Sequence, residues 1–139
     1  MTIIWPVVRT KRILAYLKGY RIARPEDAER LGLTPDLGPA EHLIGLYANP
    51  PGTTLAEIGV TTKRLCLHYE GKPCEYIKFK DIESTTLGEE MKASRTITVT
   101  KHDGTSCKIE VAGGEGRFRD SMAFIRFIDR VVEDLRRTE

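Results

Sequence analysis

The chain has 139 residues, of which 40% are hydrophobic and 30% are charged, and its net charge is only +2. This length suits one domain with a single core, and the composition excludes a disordered chain. No apolar run approaches the roughly 20 residues that a membrane-spanning helix requires. The three cysteines are odd in number and follow no disulfide spacing, so we expect a reducing, cytoplasmic location.

Charge is segregated along the chain. Residues 1–24 contain six basic residues and no acidic one, whereas residues 25–90 contain six basic and twelve acidic residues. Two interpretations follow: the basic arm packs on its own domain by complementary charge, or it binds an acidic partner such as nucleic acid, anionic lipid or protein. The apolar N-terminal run lacks a basic lead and a small-residue cleavage site, so we expect mature protein rather than a signal peptide.

The N-terminal region is predicted to be helical. Ile13, Leu14 and Leu17 fall at helical spacing, which predicts a short helix over residues 9–20. Pro25 suits the first position of a second helix, and Gly32 suits its C-terminal stop. A loop rich in proline and glycine follows. We place a boundary there, with a helical extension over residues 1–40 and the main domain over residues 41–139.

The middle of the chain is predicted to consist of antiparallel strands. Residues 42–48 and 55–60 indicate two strands, and residues 64–70 and 75–80 indicate a hairpin. The favoured register places Leu67 opposite Ile77 and Leu65 opposite Phe79, because all four side chains then share one buried face.

A second hairpin is predicted from residues 95–101 and 105–111. A three-residue loop that includes Gly104 places Val99 opposite Cys107 and Ile97 opposite Ile109.

Residues 117–137 predict one long amphipathic helix, with Phe127 at the edge of its apolar face. Six or seven antiparallel strands before one closing helix indicate a mainly β, α+β domain. Such strands curl into a sheet or barrel that the helix can cap.

The order of these elements resembles the GRAM or bacterial pleckstrin-homology-like (PH-like) domains. The resemblance covers about residues 41–137 and rests on the turn Thr62-Lys63-Arg64-Leu65, the Asp81-Ile82 corner and the closing helix. It implies lipid-headgroup binding or protein binding. Phosphoinositide-binding members generally have Lys and Arg around the first interstrand loop, and residues 49–54 contain neither, so the familiar headgroup site is expected to be absent.

Other chemistry is less well supported. A zinc site could be suggested by three ligand-type residues, Cys66, His68 and Cys74. The favoured register separates the two cysteines by four positions along the hairpin, about 13 Å, which is too far for both to bind one zinc ion. His68 beside Cys66 or Cys74 is the only local nucleophile–base pair, and nothing completes it. The glycine-rich residues 113–117 lack the ending of a phosphate-binding P-loop. No pattern of interleaved aromatic residues or recognition helix indicates nucleic-acid binding.

We therefore predict a non-enzymatic protein-binding module without metal or cofactor. The alternative is a peripheral membrane protein that uses its basic N-terminal arm on anionic lipid. The sequence leaves homo-oligomerisation open. The candidate contact residues are aromatic and basic types enriched at interfaces, together with two basic residues at a strand turn: Trp5, Arg9, Lys11, Arg12, Tyr16, Tyr20, Lys63, Arg64 and Phe127.

Overall fold

A computed structural model describes residues 4–33, 37–38, 40–87, 96–113 and 119–138. Within these ranges the chain forms helices α1 (Trp5–Arg12), α2 (Pro25–Arg30) and α3 (Arg119–Thr138) and strands β1 (Tyr20–Ile22), β2 (Leu43–Ala48), β3 (Leu55–Thr61), β4 (Arg64–Tyr69), β5 (Glu75–Lys78), β6 (Ile82–Leu87), β7 (Thr96–Lys101) and β8 (Ser106–Glu110). Two 3-10 turns, Leu14–Tyr16 and Phe79–Asp81, complete the order.

The strands form two antiparallel sheets. Strands β1 to β5 make the first sheet in chain order, and β6 to β8 make the second. The 3-10 turn Phe79–Asp81 ends β5, and β6 begins the second sheet directly after it. The predicted α+β class with a closing C-terminal helix is therefore confirmed, whereas the described residues form no closed barrel.

The two predicted hairpin registers have different outcomes. In the second hairpin Val99 pairs with Cys107 and Ile97 with Ile109, as predicted, and Gly104 has the expected positive φ of 89°. In the first hairpin the prediction is wrong by two residues, because Leu65 pairs with Ile77 and Leu67 with Glu75. A slip of two residues leaves every side chain on its original face, so the buried face itself was predicted correctly.

The N-terminal segment differs from the predicted helix over residues 9–20. Helix α1 begins at Trp5, with Pro6 in its first turn, where the missing N–H of proline costs nothing. The chain then turns and enters β1 at Tyr20, which pairs with Tyr47 of β2. Gly19 permits this pairing, because a Cβ there would lie 2.8 Å from the Ala48 carbonyl oxygen.

The core has two parts. The larger part lies between the two sheets and α3, and its fully buried members include Leu14 from the N-terminal segment and Phe124 and Phe127 from α3. The smaller part covers the opposite face of the first sheet, where Leu31 and Leu33, which follow α2, pack with Leu46 and Cys66. The boundary predicted near residue 40 thus divides segments that share one sheet and both cores.

Buried polar groups connect the elements around the larger core. The Asn49 side-chain amide donates to the carbonyl oxygens of Leu55 and Glu110 at 2.8 and 2.9 Å, and its oxygen accepts from the Ala112 N–H at 2.8 Å. The Tyr47 hydroxyl donates to Asp120 at 2.6 Å, and burial and this carboxylate raise the pKa of Tyr47. Asn49 directly follows β2, and its hydrogen bond to Glu110 fixes β8 against the first sheet. Tyr47 lies in β2, and its hydrogen bond to Asp120 fixes the start of α3 in the same way.

Asp27 fixes α2 to β1. Its buried carboxylate accepts from both terminal nitrogens of Arg21, at 2.7 and 2.8 Å, and from the Arg24 backbone N–H at 2.7 Å. These hydrogen bonds, the one from Arg21 above all, lower the pKa of Asp27 well below its ordinary value. The carboxylate therefore stabilises the folded state at neutral pH, and this contribution is lost as the pH falls below about 4 toward the lowered pKa.

Replacing Asp27 by asparagine is expected to lower the free energy of unfolding by about 2 kcal/mol at neutral pH, because Arg21 and the Arg24 N–H then lose a charged acceptor at a buried position. Urea unfolding at neutral pH and at pH ~3 measures the difference, which is expected to shrink in acid. Glu26→Gln, an exposed neighbour in the same helix turn, is the control and is expected to change stability by less than about 0.5 kcal/mol. An Asp27→Asn difference that is independent of pH would contradict the assignment.

Candidate partner-binding surface

The N-terminal segment is held to the domain by an ion pair between helices. The Arg9 guanidinium donates from Nε and Nη2 to both oxygens of Asp134 on α3, at 2.8 and 2.9 Å. The Asp134 side chain is only 3% exposed, and the Arg9 guanidinium also lies 5.3 Å from the centre of the Trp5 ring. Arg9, predicted as a contact residue, therefore holds α1 to α3, and Trp5, predicted likewise, contacts Arg9 within α1.

The basic arm is only partly neutralised by the domain. Arg9 pairs with Asp134 and Arg21 pairs with Asp27, as the complementary-charge interpretation predicts. Lys11 and Arg12 at the end of α1 are exposed, and no carboxylate of the described residues forms an ion pair with either. Within the described residues, two positive charges on α1 thus have no carboxylate partner.

Exposed apolar side chains are concentrated in the same segment. In the part of the chain that the structure describes, the exposed large hydrophobic residues are Ile4, Tyr16 and Ile22, at 44%, 82% and 77% of their full accessible surface. Tyr20 differs from them, because its hydroxyl lies over Gly45 in the space that a Cβ would fill. Burial raises the pKa of Tyr20, so it is mainly a packing residue.

The segment also forms an edge of the first sheet. Among the described strands, β1 is the terminal strand in the order of that sheet and pairs only with β2. The Ala48 N–H bonds to Gly19 and the Ala23 N–H bonds to Ile44, so the alternation of an antiparallel ladder directs the N–H of Ile22 to the open side. An open strand edge of this kind can pair with an extended segment of another chain.

Lys63 and Arg64 lie in a separate place. They form the turn between β3 and β4 and line a cavity of about 550 Å³ together with Lys78 and Lys80. Lys63 is exposed, whereas Arg64 is held by Glu41 at 2.9 Å and stacks 4.3 Å from the centre of the Tyr76 ring. The structure therefore does not bring these two residues together with the N-terminal candidates.

Phe127 was misplaced by the sequence analysis. Its side chain is completely buried and meets Phe79 edge-on, with ring centres 5.9 Å apart. The prediction that Phe127 contributes to a contact surface is wrong, since no part of its ring reaches the surface. Phe127 belongs to the larger core together with Phe124 of the same helix.

The cysteine and histidine candidates do not form a reactive cluster in the described residues. Cys66 alternates with Leu65 and Leu67, for which a buried face was predicted, and it faces away from the larger core. The segment after α2 covers it, and burial raises the pKa of its thiol to about 12. Cys74 lies in the loop before β5 and donates to the Leu31 carbonyl oxygen at 3.4 Å. The corrected register removes the four-position separation on which the argument against zinc depended. Among the described residues no group of three metal-binding side chains is present.

No sequence pattern marked Ile4, Ile22, Lys78 and Lys80 as candidate contact residues. The run Tyr20-Arg21-Ile22 alternates as a strand does, but three residues are too few to distinguish a strand from a frayed helix end. The run Ile77-Lys78-Phe79-Lys80 alternates clearly and placed both lysines outside, yet their position beside Lys63 depends on tertiary folding. Most of the glycine-rich stretch that was considered and rejected as a P-loop, residues 114–117, lies outside the described residues.

Comparisons with known proteins add information on the fold. No protein-family model matches the chain, and no curated protein matches it. A solved structure of a DUF1696 family protein with a pleckstrin-homology domain, from Shewanella loihica PV-4, is similar with a TM-score of 0.50 and 18% sequence identity. The match covers 82% of this chain and 97% of that one. At this identity the likeness shows the fold alone, which is PH-like; it does not show a GRAM domain.

No helix of the described residues is sufficiently long and apolar to cross a membrane.

Proposed function

We propose that this protein is a non-enzymatic, cytoplasmic protein-binding module of PH-like fold that contacts an acidic partner through its N-terminal segment. The contact residues are Ile4, Lys11, Arg12, Tyr16 and Ile22, which we call the N-terminal surface. The observation that carries the proposal is the concentration of exposed large apolar side chains in this segment. Elsewhere in the described residues, large apolar side chains are at least partly covered.

Exposed apolar side chains favour a protein partner. Tyr16 leaves most of its ring in water, and covering such a side chain contributes free energy in proportion to the apolar area removed from solvent. Tyrosine and arginine are enriched among the residues that dominate binding energy at protein interfaces, and Arg12 stands near Tyr16 in the chain. The open edge of β1 beside Ile22 adds backbone groups that an extended partner segment can pair with.

The charge of the surface favours an acidic partner. Lys11 and Arg12 are exposed at the C-terminal end of α1, where the internal ion pairs leave them unneutralised by described carboxylates. Opposite charges steer association and select partners more than they add affinity. Binding is therefore expected to weaken as the salt concentration rises, since salt screens exposed charges.

Point variants test this proposal in the full-length protein. Tyr16→Ser/Ile22→Ser removes the apolar contacts, and Lys11→Glu/Arg12→Glu reverses the charge; all four residues are exposed, so both variants are expected to fold. A partner captured from the native cell and identified by mass spectrometry is then titrated against each variant. Each is expected to bind it about tenfold more weakly or worse.

Lys72→Glu/Lys108→Glu is the matched control, because it makes the same charge change at two exposed positions elsewhere. It is expected to retain the partner. Equal loss in the control would indicate a diffuse charge effect and contradict the proposal. Two further results would also contradict it. Sedimentation with anionic vesicles that requires Lys11 and Arg12 would favour the membrane alternative. A homodimer that Ile22→Lys dissociates would show that a second copy of the chain binds the β1 edge.

A further inference from the structure

A second concave surface lies apart from the N-terminal surface. The cavity of about 550 Å³ opens between the β3–β4 turn, the end of β5 and the last part of α3. Lys63 comes from the turn, and Lys78 and Lys80 come from the end of β5 and the residues that follow. We call it the lysine cavity. Its volume lies within the range of small-molecule sites, about 300–1,000 Å³.

The backbone under the three lysines is fixed. The Phe79 N–H, between Lys78 and Lys80, donates to the Lys63 carbonyl oxygen at 3.0 Å and joins the two segments directly. The Phe79 side chain is buried in the core. On the other segment, the Thr61 hydroxyl accepts from the Lys63 and Arg64 N–H groups at 3.0 and 2.9 Å. Because both segments are held in place before any ligand arrives, little backbone ordering opposes binding.

The other charges of the lysine cavity cancel. Glu41 accepts from Arg64 Nε at 2.9 Å and from the Thr61 hydroxyl at 2.6 Å, and both partners of this ion pair are largely buried. The Arg64 guanidinium also stacks on Tyr76. This pair is therefore structural. It forms part of the wall and leaves the net charge of the cavity to the lysines.

The three lysines are not neutralised by described groups. Lys63, Lys78 and Lys80 are exposed, and in the described ranges no carboxylate forms an ion pair with any of them. Three positive charges that converge on one concavity raise its electrostatic potential and concentrate anions there. An anion that binds among them would also relieve their mutual repulsion.

We propose that the lysine cavity binds a small soluble anion of the phosphate-ester or pyrophosphate class, an activity that is independent of the N-terminal surface. Lysine ammonium groups are compact charges with rotatable donors, which suit the several oxygens of a phosphate group from different directions. Planar carboxylates are matched better by the fork of an arginine, and the arginine present here is already paired with Glu41.

The surroundings of the lysine cavity favour a soluble ligand over a lipid. The exposed large apolar side chains of the described residues are Ile4, Tyr16 and Ile22, and none of them lines the cavity. Peripheral membrane binding usually combines basic charge with apolar side chains that enter the interface. The cavity has the charge without such side chains.

Calorimetric titration of the full chain with inorganic pyrophosphate at low ionic strength tests the assignment. Saturable binding near one molecule per chain is expected for the natural sequence. Lys78→Gln/Lys80→Gln is expected to weaken it about tenfold or more, and Lys63→Gln to weaken it by a smaller factor. The matched control Lys72→Gln/Lys108→Gln removes two exposed lysines elsewhere and is expected to change the affinity less than twofold, on the order of experimental error.

A parallel experiment distinguishes the source of the phosphate group. Phosphatidylcholine vesicles that contain phosphatidic acid present a phosphate monoester on a membrane, and they are expected not to sediment the protein through Lys78 and Lys80. Three results would overturn the proposal: no saturable pyrophosphate binding, equal affinity in the Lys78/Lys80 variant and the natural sequence, or vesicle binding that requires these lysines. The N-terminal surface makes none of these contacts, so its own test is unaffected by them.

Discussion

A chain that begins at residue 25 is expected to be unfolded, or to melt far below the full-length protein. The deletion removes Leu14 and Leu17 from the larger core, and burial of each such side chain contributes about 1.5–3 kcal/mol. It also removes the Arg9–Asp134 ion pair and uncovers the part of α3 on which α1 packs. The loss from the two leucines alone, about 3–6 kcal/mol, is a large part of the total stability of an ordinary domain, about 5–15 kcal/mol.

Circular dichroism during heating measures this effect directly. The control is the full-length Tyr16→Ser/Ile22→Ser variant, which alters the same segment at exposed positions and is expected to melt within a few degrees of the natural sequence. A chain without residues 1–24 that melts cooperatively near the full-length temperature would show that the N-terminal segment is a separate extension. The expected result explains why point variants, rather than truncation, must test partner binding.

Phe127→Ala is expected to lower the free energy of unfolding by about 3–5 kcal/mol. The Phe127 ring is completely buried against Phe79, so truncation leaves a cavity that the rigid junction of sheet and helix fills poorly. Urea unfolding measures the change. The loss identifies Phe127 as a core residue, in contrast to its prediction as a contact residue.

Two control variants test whether the stability loss of Phe127→Ala comes from the removed buried volume. Phe127→Leu retains most of the volume and is expected to cost less than the alanine variant, and Arg126→Ala at the exposed neighbouring position is expected to change stability by less than about 0.5 kcal/mol. A Phe127→Ala protein that is as stable as the natural sequence and yet loses a partner would restore the original prediction.

Local patterns predicted the parts of the fold that one segment determines. Helix α3 follows from its apolar stripe, α2 from Pro25 and Gly32, and the β7–β8 register from Gly104 and the alternation on both strands. In each case the pattern and the turn residue favour one arrangement. Agreement between two independent local signals is what makes such predictions reliable.

The errors arose where distant segments decide the outcome. In the first hairpin, registers that differ by two residues bury the same side chains, and the choice depends on the 3-10 turn that takes Phe79 out of the ladder. Strand β1 has three residues and exists because it pairs with β2, more than twenty residues later. Cys66 was predicted on the correct face, but the leucines that cover it follow α2 and could not be placed from sequence.

The candidate sites show the same division. Exposure of Lys11, Arg12 and Tyr16 agrees with their position outside the apolar spacing of the N-terminal segment. Arg9 pairs with Asp134, more than one hundred residues away, and Lys63 lines the same cavity as Lys78 and Lys80. Both arrangements depend on tertiary folding. Sequence reasoning could name candidate residue types, whereas the division into two surfaces required the fold.

Amide hydrogen exchange of the full-length protein, with and without its identified partner, tests the central claim most directly. The account predicts that the partner slows exchange in β1, including the outward N–H of Ile22, and in the adjoining turn that carries Tyr16. The β7–β8 hairpin serves as an internal reference and is expected to be unchanged. Slowed exchange confined to other elements, with β1 and the Tyr16 turn unaffected, would contradict the proposed N-terminal surface.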